Sequence, residues 1–504
     1  MPFPVAVDNR KFAMVAFACA SVFTSLMICF GDGAGLWDFP LDDAWIHLVY
    51  TRGLLTDGAP TYNAGIPEVG FSSPLWMLAA IPGYLIGQAV GFLPLVIKIT
   101  SAFWGIVAAV GAARTAVQLS RKTAAGYWTI LLLSAWPMFS FAAASGMEVT
   151  LCTALLFWAF SCRFGARHRS AGALLALATL ARPEAAVVPV VFAVWEIAAS
   201  SPRHAAIRRT ALTIGPTVVA GGAWTVYNYS VSGYFLPNTF YVKADAAGLH
   251  NLKALVPELL LGSTPITGIV LPLLVVAALG LVVFKRAREA AGPSLLVAVV
   301  GAVGLVGVLS TRRVLYNVSF YQLRYYLPFA ALFIPLCVSV LCNASVRRVV
   351  CVSVSAVFLI ACGFTLPRSL EMYRAHCDAI RALHTGPALY VKDHTPSDAA
   401  IAVEGAGAAA FFSERFVVDL NGLNTGMIAH SKDGTGLVCA LARYRPTMTV
   451  IPEKWQSRIE KLFEIQAGVQ FRYEAPAPYA AELDGAVDVS NVRLRPEVYR
   501  LCAE

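Results

Sequence analysis

The sequence predicts a polytopic α-helical membrane protein that ends in a small α/β domain outside the membrane. Of the 504 residues, 58% are hydrophobic and only 14% are charged, a composition too apolar for a soluble protein. Apolar runs near the 20-residue length of a spanning helix recur from residue 12 to residue 366. Beyond residue 366 the long apolar runs stop and charged residues become more frequent.

Basic residues predict the orientation of the spans. The first apolar run, 12–30, follows Arg10 and Lys11 and is longer than the usual core of a cleaved signal peptide, so we interpret it as an uncleaved anchor. Five basic clusters lie between later apolar runs, at 121–122, 163–169, 203–209, 285–288 and 347–348. Placing all five in the cytoplasm predicts about eleven crossings, with 74–90 as an interfacial or re-entrant segment. The net charge of +9 therefore reports orientation, and we expect no nucleic-acid partner.

The predicted domains are a transmembrane domain at 1–366, with its first outer loop at 31–73, and an extracytoplasmic α/β domain at 367–504. Strand-like runs at 400–403, 416–419 and 448–451 alternate with turns and helical stretches. The expected location is a bacterial inner membrane. Three cysteines fall in the outer part, and we expect at most one disulfide, between Cys439 and Cys502.

Two adjacent carboxylates, Asp42 and Asp43, follow the first span closely. A helix that begins there would place Asp43, His47 and Tyr50 on one face. One interpretation is structural, since Asp42 suits the N-cap and Asp43 the first turn. The other is chemical, with the pair as a catalytic site.

Four more polar groups fall on the outer side in the predicted topology, and ionisable residues gathered at one membrane face indicate a site. They contain Glu148, Arg182 with Glu184, Asn238 to Lys243, and Arg324. Structural alternatives stay open. Ser145 and Glu148 form a capping-box pattern, Glu184 suits a helix start, Arg182 can anchor at the interface, and Arg324 can belong to an aromatic belt.

This pattern suits the transfer of a sugar from a lipid phosphate. A carboxylate would take the proton of the acceptor hydroxyl, and cations would stabilise the departing phosphate. Asp42 is the candidate base, and Asp43 shares that role or positions the acceptor or a metal. Arg182, Lys243 and Arg324 are the candidates for the phosphate.

Several motifs occur in the order found in one known family. The first span is followed by Asp-Asp-Ala-Trp-Ile at 42–46 and by Gly-Phe-Ser-Ser-Pro-Leu-Trp at 70–76. Later motifs are Ser-Gly-Met-Glu at 145–148, Arg-Pro-Glu at 182–184 and Arg-Tyr-Tyr-Leu-Pro at 324–328. Two longer stretches, 233–243 and 407–424, also occur in the order of the family. This order resembles the GT-C glycosyltransferases, and within them the terminal β-(1→2) arabinofuranosyltransferases of the actinobacterial cell wall. Relatives usually have arginine where Val49 stands and glutamate where Val69 stands, with Glu68 one position earlier.

The resemblance implies a polyprenyl-phosphate-linked sugar donor in the bilayer, an envelope glycan acceptor and transfer on the outer face. It also implies that a carboxylate of the Asp42–Asp43 pair is catalytic. We expect the donor phosphate and substrates to contact Arg182, Lys243, Arg324, Asn238, Tyr241, Glu148, Glu184 and His47. No cofactor is implied, and a divalent cation is left open.

Other functions fit the same chain. An enzyme of this fold could instead transfer a hexose or aminoarabinose to lipopolysaccharide or another surface glycan. A transporter or a non-catalytic envelope assembly factor is the alternative from another class. A transporter is disfavoured because its charges should lie at the middle of the membrane, whereas here they lie at the predicted outer ends.

Overall fold

The computed structural model describes residues 8–30, 33–199, 203–243, 291–311, 320–343, 348–431, 434–452, 457, 461, 472–474 and 487–493. The predicted span at 262–284 and the cluster at 285–288 lie outside these residues. Cys439 is in a disulfide, but its expected partner, Cys502, also lies outside them. Cys377 is a free, buried thiol.

Helices dominate the chain. In chain order they are α1 (Asn9–Cys29), α2 (Ala34–Trp37), α3 (Asp43–Asp57), α4 (Pro74–Ala79), α5 (Ile81–Val90), α6 (Leu93–Ser120), α7 (Thr123–Ala135), α8 (Pro137–Ala143), α9 (Val149–Phe164), α10 (His168–Ala181), α11 (Val187–Ala199), α12 (Arg203–Ser232), α13 (Asn238–Lys243), α14 (Ala291–Thr311), α15 (Phe320–Ala330), α16 (Phe333–Asn343), α17 (Arg348–Ile380), α18 (Gly386–His394), α19 (Ala408–Ser413), α20 (Gly426–Ala429) and α21 (Thr435–Tyr444). The strands are β1 (Thr61–Asn63), β2 (Ile66–Pro67), β3 (Ala400–Val403), β4 (Phe416–Asp419), β5 (Met448–Pro452), β6 (Arg472–Glu474) and β7 (Val487–Arg493).

The chain forms two compact units, each built from separate stretches of sequence. Unit 1 contains Met1–Leu36, Pro94–Trp224 and Asp245–Tyr373, and unit 2 contains Trp37–Leu93, Thr225–Ala244 and Arg374–Glu504. Residues 37–73 of the first outer loop therefore belong to the same unit as the region from 374 onwards. The predicted domain boundary at 366 stays a prediction.

Unit 1 holds most of the apolar helices. In the described residues, four helical stretches are long and apolar enough to cross a membrane: Asn9–Cys29, Leu93–Ser120, Arg324–Cys342 and Val352–His394. Three shorter apolar helices are Thr123–Ala135, Val149–Phe164 and Gly292–Val308. The polytopic helical fold is confirmed, while the number of eleven crossings stays a prediction.

Proline explains where predicted spans are interrupted. The span expected at 125–144 is divided into α7 and α8, because Trp136 before Pro137 is extended, with φ −70° and ψ 113°. The span at 326–342 has a break between α15 and α16, where Pro335 lacks the N–H that would bond to the Ala331 carbonyl. The segment 74–90 forms two short helices, α4 and α5. In contrast, the predicted span at 349–366 is not interrupted. It continues beyond residue 366 as one helix, α17, which ends at Ile380.

Two basic clusters of unit 1 meet at one end of its helices. Arg163 at the end of α9 and Arg209 near the start of α12 both pair with Glu196 near the end of α11, and Glu196 is buried. The clusters at 163–169 and 203–209 therefore lie on the same side, as the positive-inside interpretation requires.

Unit 2 contains a five-stranded sheet in the order β4-β3-β5-β7-β6. β3 pairs in parallel with β4 and β5, whereas β7 pairs antiparallel with β5 and β6. Helix α21 covers the sheet through Leu437, Val438 and Leu441, which pack in one buried cluster with Val418 and Ile451. This confirms the predicted C-terminal α/β region.

The turn after β4 is joined to α3 by buried hydrogen bonds. Asp419 accepts hydrogen bonds from the backbone N–H of Asn421 at 2.9 Å and of Asn424 at 2.8 Å, and Asn424 Oδ1 accepts from the Tyr50 hydroxyl at 2.9 Å. The same hydroxyl accepts from Gly70 N at 2.9 Å. A Cβ at Gly70 would collide with the side chains of Asn424 and Tyr50, so this approach requires glycine.

We predict that Tyr50→Phe destabilises unit 2. Burial, with the nearby charge of Glu68, raises the pKa of Tyr50 well above its usual value, so the hydroxyl keeps its proton for Asn424. Removing it leaves a buried donor and a buried acceptor unsatisfied, at about 1–3 kcal/mol. The measurement is the Tm of the purified protein in detergent. Tyr229→Phe is the control, because Tyr229 is 54% exposed; equal Tm values for the two variants would contradict this role of Tyr50.

Candidate functional site

Asp42 immediately precedes α3, but its side chain does not cap that helix. Its carboxylate instead accepts hydrogen bonds from the backbone N–H of Gly407 at 2.7 Å and of Ala408 at 2.8 Å, at the start of α19. A Cβ at 407 would collide with the backbone oxygen and the carboxylate of Asp42, so only glycine permits the approach. The N-cap interpretation of Asp42 is therefore wrong.

Asp43, in the first turn of α3, pairs with Lys243 at the end of α13. Asp43 Oδ1 lies 3.1 Å from Lys243 Nζ. The side chains are 14% and 21% exposed respectively, so the pair is reachable from solvent. Two residues 200 positions apart in the sequence thus bring a carboxylate and a cation together, and both were predicted site residues. We call Asp42, Asp43 and Lys243 the aspartate cluster.

Helix α13 is fixed at its other end by Asn238, which is fully buried. Asn238 Nδ2 donates to Glu68 Oε1 at 2.9 Å, and its backbone N–H donates to the Val69 carbonyl at 3.0 Å. Asn238 Oδ1 lies 3.0 Å from Nε2 of His430. This hydrogen-bonded chain of Glu68, Asn238 and His430 orients α13 and so positions Lys243.

Aromatic rings enclose His430. Tyr234 stacks on it with ring centroids 3.4 Å apart and planes 5° apart, and Tyr241 meets it edge-on at 4.7 Å. Burial lowers the pKa of His430, so its ring is neutral near pH 7. Burial raises the pKa of Glu68, although hydrogen bonds from Val69, Asn238 and Gly426 act in the opposite direction.

Near Asp42, Asp419 is fully buried. Burial, together with the charge of Asp42, raises the pKa of Asp419 to about 6, against the lowering effect of the hydrogen bonds from Asn424 and Asn421. Asp419 is therefore protonated more readily in the folded protein than in the unfolded chain. The cost of keeping it ionised in the folded protein decreases as the pH falls towards 6. His47 is also buried, at 6% exposure, inside α3.

In unit 1, four predicted residues meet in what we call the arginine cluster: Glu148, Arg182, Glu184 and Arg324. Arg182 Nη1 pairs with Glu148 Oε1, and Arg182 Nε lies 3.7 Å from Glu184 Oε2. The ring of Tyr325 lies 4.7 Å from the Arg182 guanidinium and 5.1 Å from that of Arg324. Arg182 and Arg324 are both buried, at 4% and 2% exposure. Two arginines and two glutamates thus balance their charges around one aromatic ring.

The capping-box interpretation of Glu148 is wrong. Glu148 is itself the residue before α9 and makes no side-chain cap, because its carboxylate pairs with Arg182. Ser145 Oγ donates instead to the Ala142 carbonyl at 2.7 Å. The arginine cluster lies at the start of α9 and the end of α10, whereas Arg163 lies at the other end of α9. Within unit 1, the arginine cluster and the basic clusters at 163–169 and 203–209 therefore lie at opposite ends of α9.

The structure thus distributes the predicted residues between the units. Asp42, Asp43, His47, Asn238, Tyr241 and Lys243 belong to unit 2, and Glu148, Arg182, Glu184 and Arg324 belong to unit 1. Sequence reasoning missed His430, which no motif marks, and recorded Glu68 only as a displaced glutamate. In the part of the chain that the structure describes, no group of three or more His, Cys, Asp or Glu residues could hold a metal ion.

Residues 376–489 match a family described as a domain of unknown function, DUF8728. No curated protein matches the chain.

Solved structures of membrane enzymes are similar to nearly the whole chain. ArnT from Cupriavidus metallidurans, solved bound to undecaprenyl phosphate, superposes with a TM-score of 0.59 at 14% identity, over 97% of this chain and 99% of that one. The archaeal oligosaccharyltransferase AglB from Archaeoglobus fulgidus, in complex with an inhibitory peptide and a dolichol-phosphate, gives a TM-score of 0.59 at 10% identity, over 97% and 77%. An Archaeoglobus fulgidus oligosaccharyltransferase with Zn and sulfate gives 0.60 at 10%, over 96% and 73%. The chain has the fold of the GT-C membrane glycosyltransferases.

Proposed function

We propose that this protein is a membrane glycosyltransferase that moves a sugar from a polyprenyl-phosphate donor to an envelope glycan outside the cytoplasmic membrane. The observation that carries the proposal is the Asp43–Lys243 pair, in which a carboxylate of the first outer loop, 14% exposed, lies beside a cation. A lipid phosphate in two of the structural neighbours supports the donor class. The order of motifs favours arabinofuranose as the sugar.

We assign the base to Asp43 and a positioning role to Asp42. Each oxygen of Asp42 already accepts a backbone hydrogen bond, so this carboxylate holds the start of α3 in place. Asp43 is the next residue, and its carboxylate is partly open to solvent. In the proposed step, Asp43 takes the proton of the acceptor hydroxyl, whose oxygen bonds to the anomeric carbon as the bond to the phosphate oxygen breaks. The polyprenyl phosphate leaves with the bonding electron pair.

Lys243 is proposed to stabilise that developing phosphate charge in unit 2. In unit 1, Arg182 and Arg324 are proposed to bind a phosphate at the membrane boundary. Arg182 donates a hydrogen bond from Nη1 to Glu148, and its Nε forms a longer ion pair with Glu184 at 3.7 Å. The glutamates then fix the plane of the guanidinium, which favours bidentate binding of a phosphate.

A reconstituted transfer assay tests the function. The purified protein in liposomes is given polyprenyl-phosphate donors carrying arabinofuranose, aminoarabinose, glucose or mannose, with an envelope glycan fraction as acceptor. We expect release of polyprenyl phosphate together with labelled glycan for one donor, arabinofuranose before the others. Parallel reactions with EDTA decide whether a divalent cation is needed. Absence of turnover with all four donors would favour the assembly-factor alternative.

The arginine cluster gives a second prediction. Arg182→Lys and Arg324→Lys keep the charge but lose the planar fork, so each should raise KM for the donor or lower kcat by about tenfold or more. Arg114→Lys is the matched control, an arginine of unit 1 that stacks on Trp158. If both cluster variants turn over like the control, with equal protein levels in the membrane, the arginines are structural anchors.

A further inference from the structure

Unit 2 contains a cavity of about 510 Å³ that includes none of the aspartate cluster. It lies between the β1–β2 hairpin, the end of α12 and the loop around α20, with Arg443 and Tyr444 of α21 completing the wall. Its volume falls within the range of about 300–1,000 Å³ that is usual for ligand pockets.

The lining combines aromatic faces with neutral hydrogen-bonding groups. Tyr234 is 41% exposed, and Tyr444 packs on Phe416 at 4.7 Å between ring centroids. Arg443 is exposed and lies over Tyr444, at 5.6 Å from the ring centroid. Glu68 lines the same cavity, so the described lining has a single arginine together with an acidic residue and no cluster of cations that would select an anion. So polar a lining is also unsuited to a lipid chain.

The protonation of His430 follows from its neighbours. Glu68 Oε1 accepts hydrogen bonds from the backbone N–H of Val69 at 3.2 Å and from Asn238 Nδ2 at 2.9 Å, so Asn238 turns its NH₂ group to Glu68 and its oxygen to His430. His430 therefore donates from Nε2, and in the neutral ring Nδ1 is an acceptor. Sugar hydroxyls need both acceptors and donors, and the apolar faces of sugar rings stack on aromatic side chains.

We propose that this cavity binds a neutral oligosaccharide, the part of the acceptor glycan next to its reacting end. This role of the cavity rests on the proposed function. Asn238, which is bonded to the lining residues Glu68 and His430, and Lys243, which pairs with Asp43, are the two ends of α13. They are separated by about 7.5 Å along the helix axis. That distance is comparable to the length of one or two sugar units. The chain from Glu68 through Asn238 thus couples the cavity to the aspartate cluster.

The test measures saturation-transfer NMR of the full-length protein in nanodiscs with hexasaccharides of α-(1→5)-arabinofuranose, α-mannose or β-glucose. We expect one of them to bind, and Tyr234→Ala to weaken its binding at least tenfold and to raise KM for the glycan without changing KM for the donor. Arg443→Ala, at an exposed position, is a second variant that should weaken binding even if Tyr234→Ala folds poorly. Tyr229→Ala is the control, since Tyr229 stacks on Phe235 at 5.1 Å but does not line the cavity.

Absence of binding by all three hexasaccharides to the unmodified protein overturns the proposal. Equal binding by Tyr229→Ala, Tyr234→Ala and Arg443→Ala also overturns it, because the sugar would then lie elsewhere. Transfer from a lipid donor without hexasaccharide binding removes the cavity assignment and leaves the proposed function standing. Binding of a hexasaccharide without transfer from any donor supports the cavity as an oligosaccharide site and contradicts the proposed function.

Discussion

Unit 2 depends on the contact between the carboxylate of Asp42 and the backbone at the start of α19. This contact joins the first outer loop to the C-terminal region across 365 positions of sequence, through two short hydrogen bonds to backbone N–H groups. Charge-assisted bonds of this kind are about twice as strong as neutral ones. Because Asp43 is the adjacent residue, anything that moves Asp42 also moves the proposed base.

Within unit 2, further hydrogen bonds join the first outer loop to the C-terminal region. Tyr62 donates to the Ala406 carbonyl at 2.5 Å, Asn63 pairs with both backbone groups of Val417, and Arg52 donates to the Phe411 carbonyl at 3.0 Å. Most of these bonds use backbone atoms of the C-terminal region, so they depend on its conformation more than on its side chains. The α/β region is therefore a support that holds the first loop in one geometry. The segment carrying Lys243 is held separately, through Asn238.

The sequence predicted the helical membrane fold, the α/β region and the residues of the arginine cluster, because apolar length and charge at span ends are local signals. It could not predict that Asp42 leaves its own helix uncapped. The partners of Asp42 are backbone N–H groups at 407–408, which are distant in sequence and are not marked by any side chain. His430 was missed for the same reason: a lone histidine has no pattern until Asn238 and Tyr234 surround it. Glu68 reaches Asn238 from one position before the expected glutamate, which only the hairpin geometry reveals.

The central claim is that Asp43 is the base and Asp42 its positioning residue, and turnover of Asp43→Asn tests it most directly. The account predicts that kcat falls at least 100-fold, with KM for the lipid donor and the Tm nearly unchanged. Asp42→Asn should lower the Tm together with kcat, because the amide cannot accept both backbone hydrogen bonds. Turnover of Asp43→Asn near the level of the unmodified protein, with Asp42→Asn inactive at an unchanged Tm, would contradict the assignment.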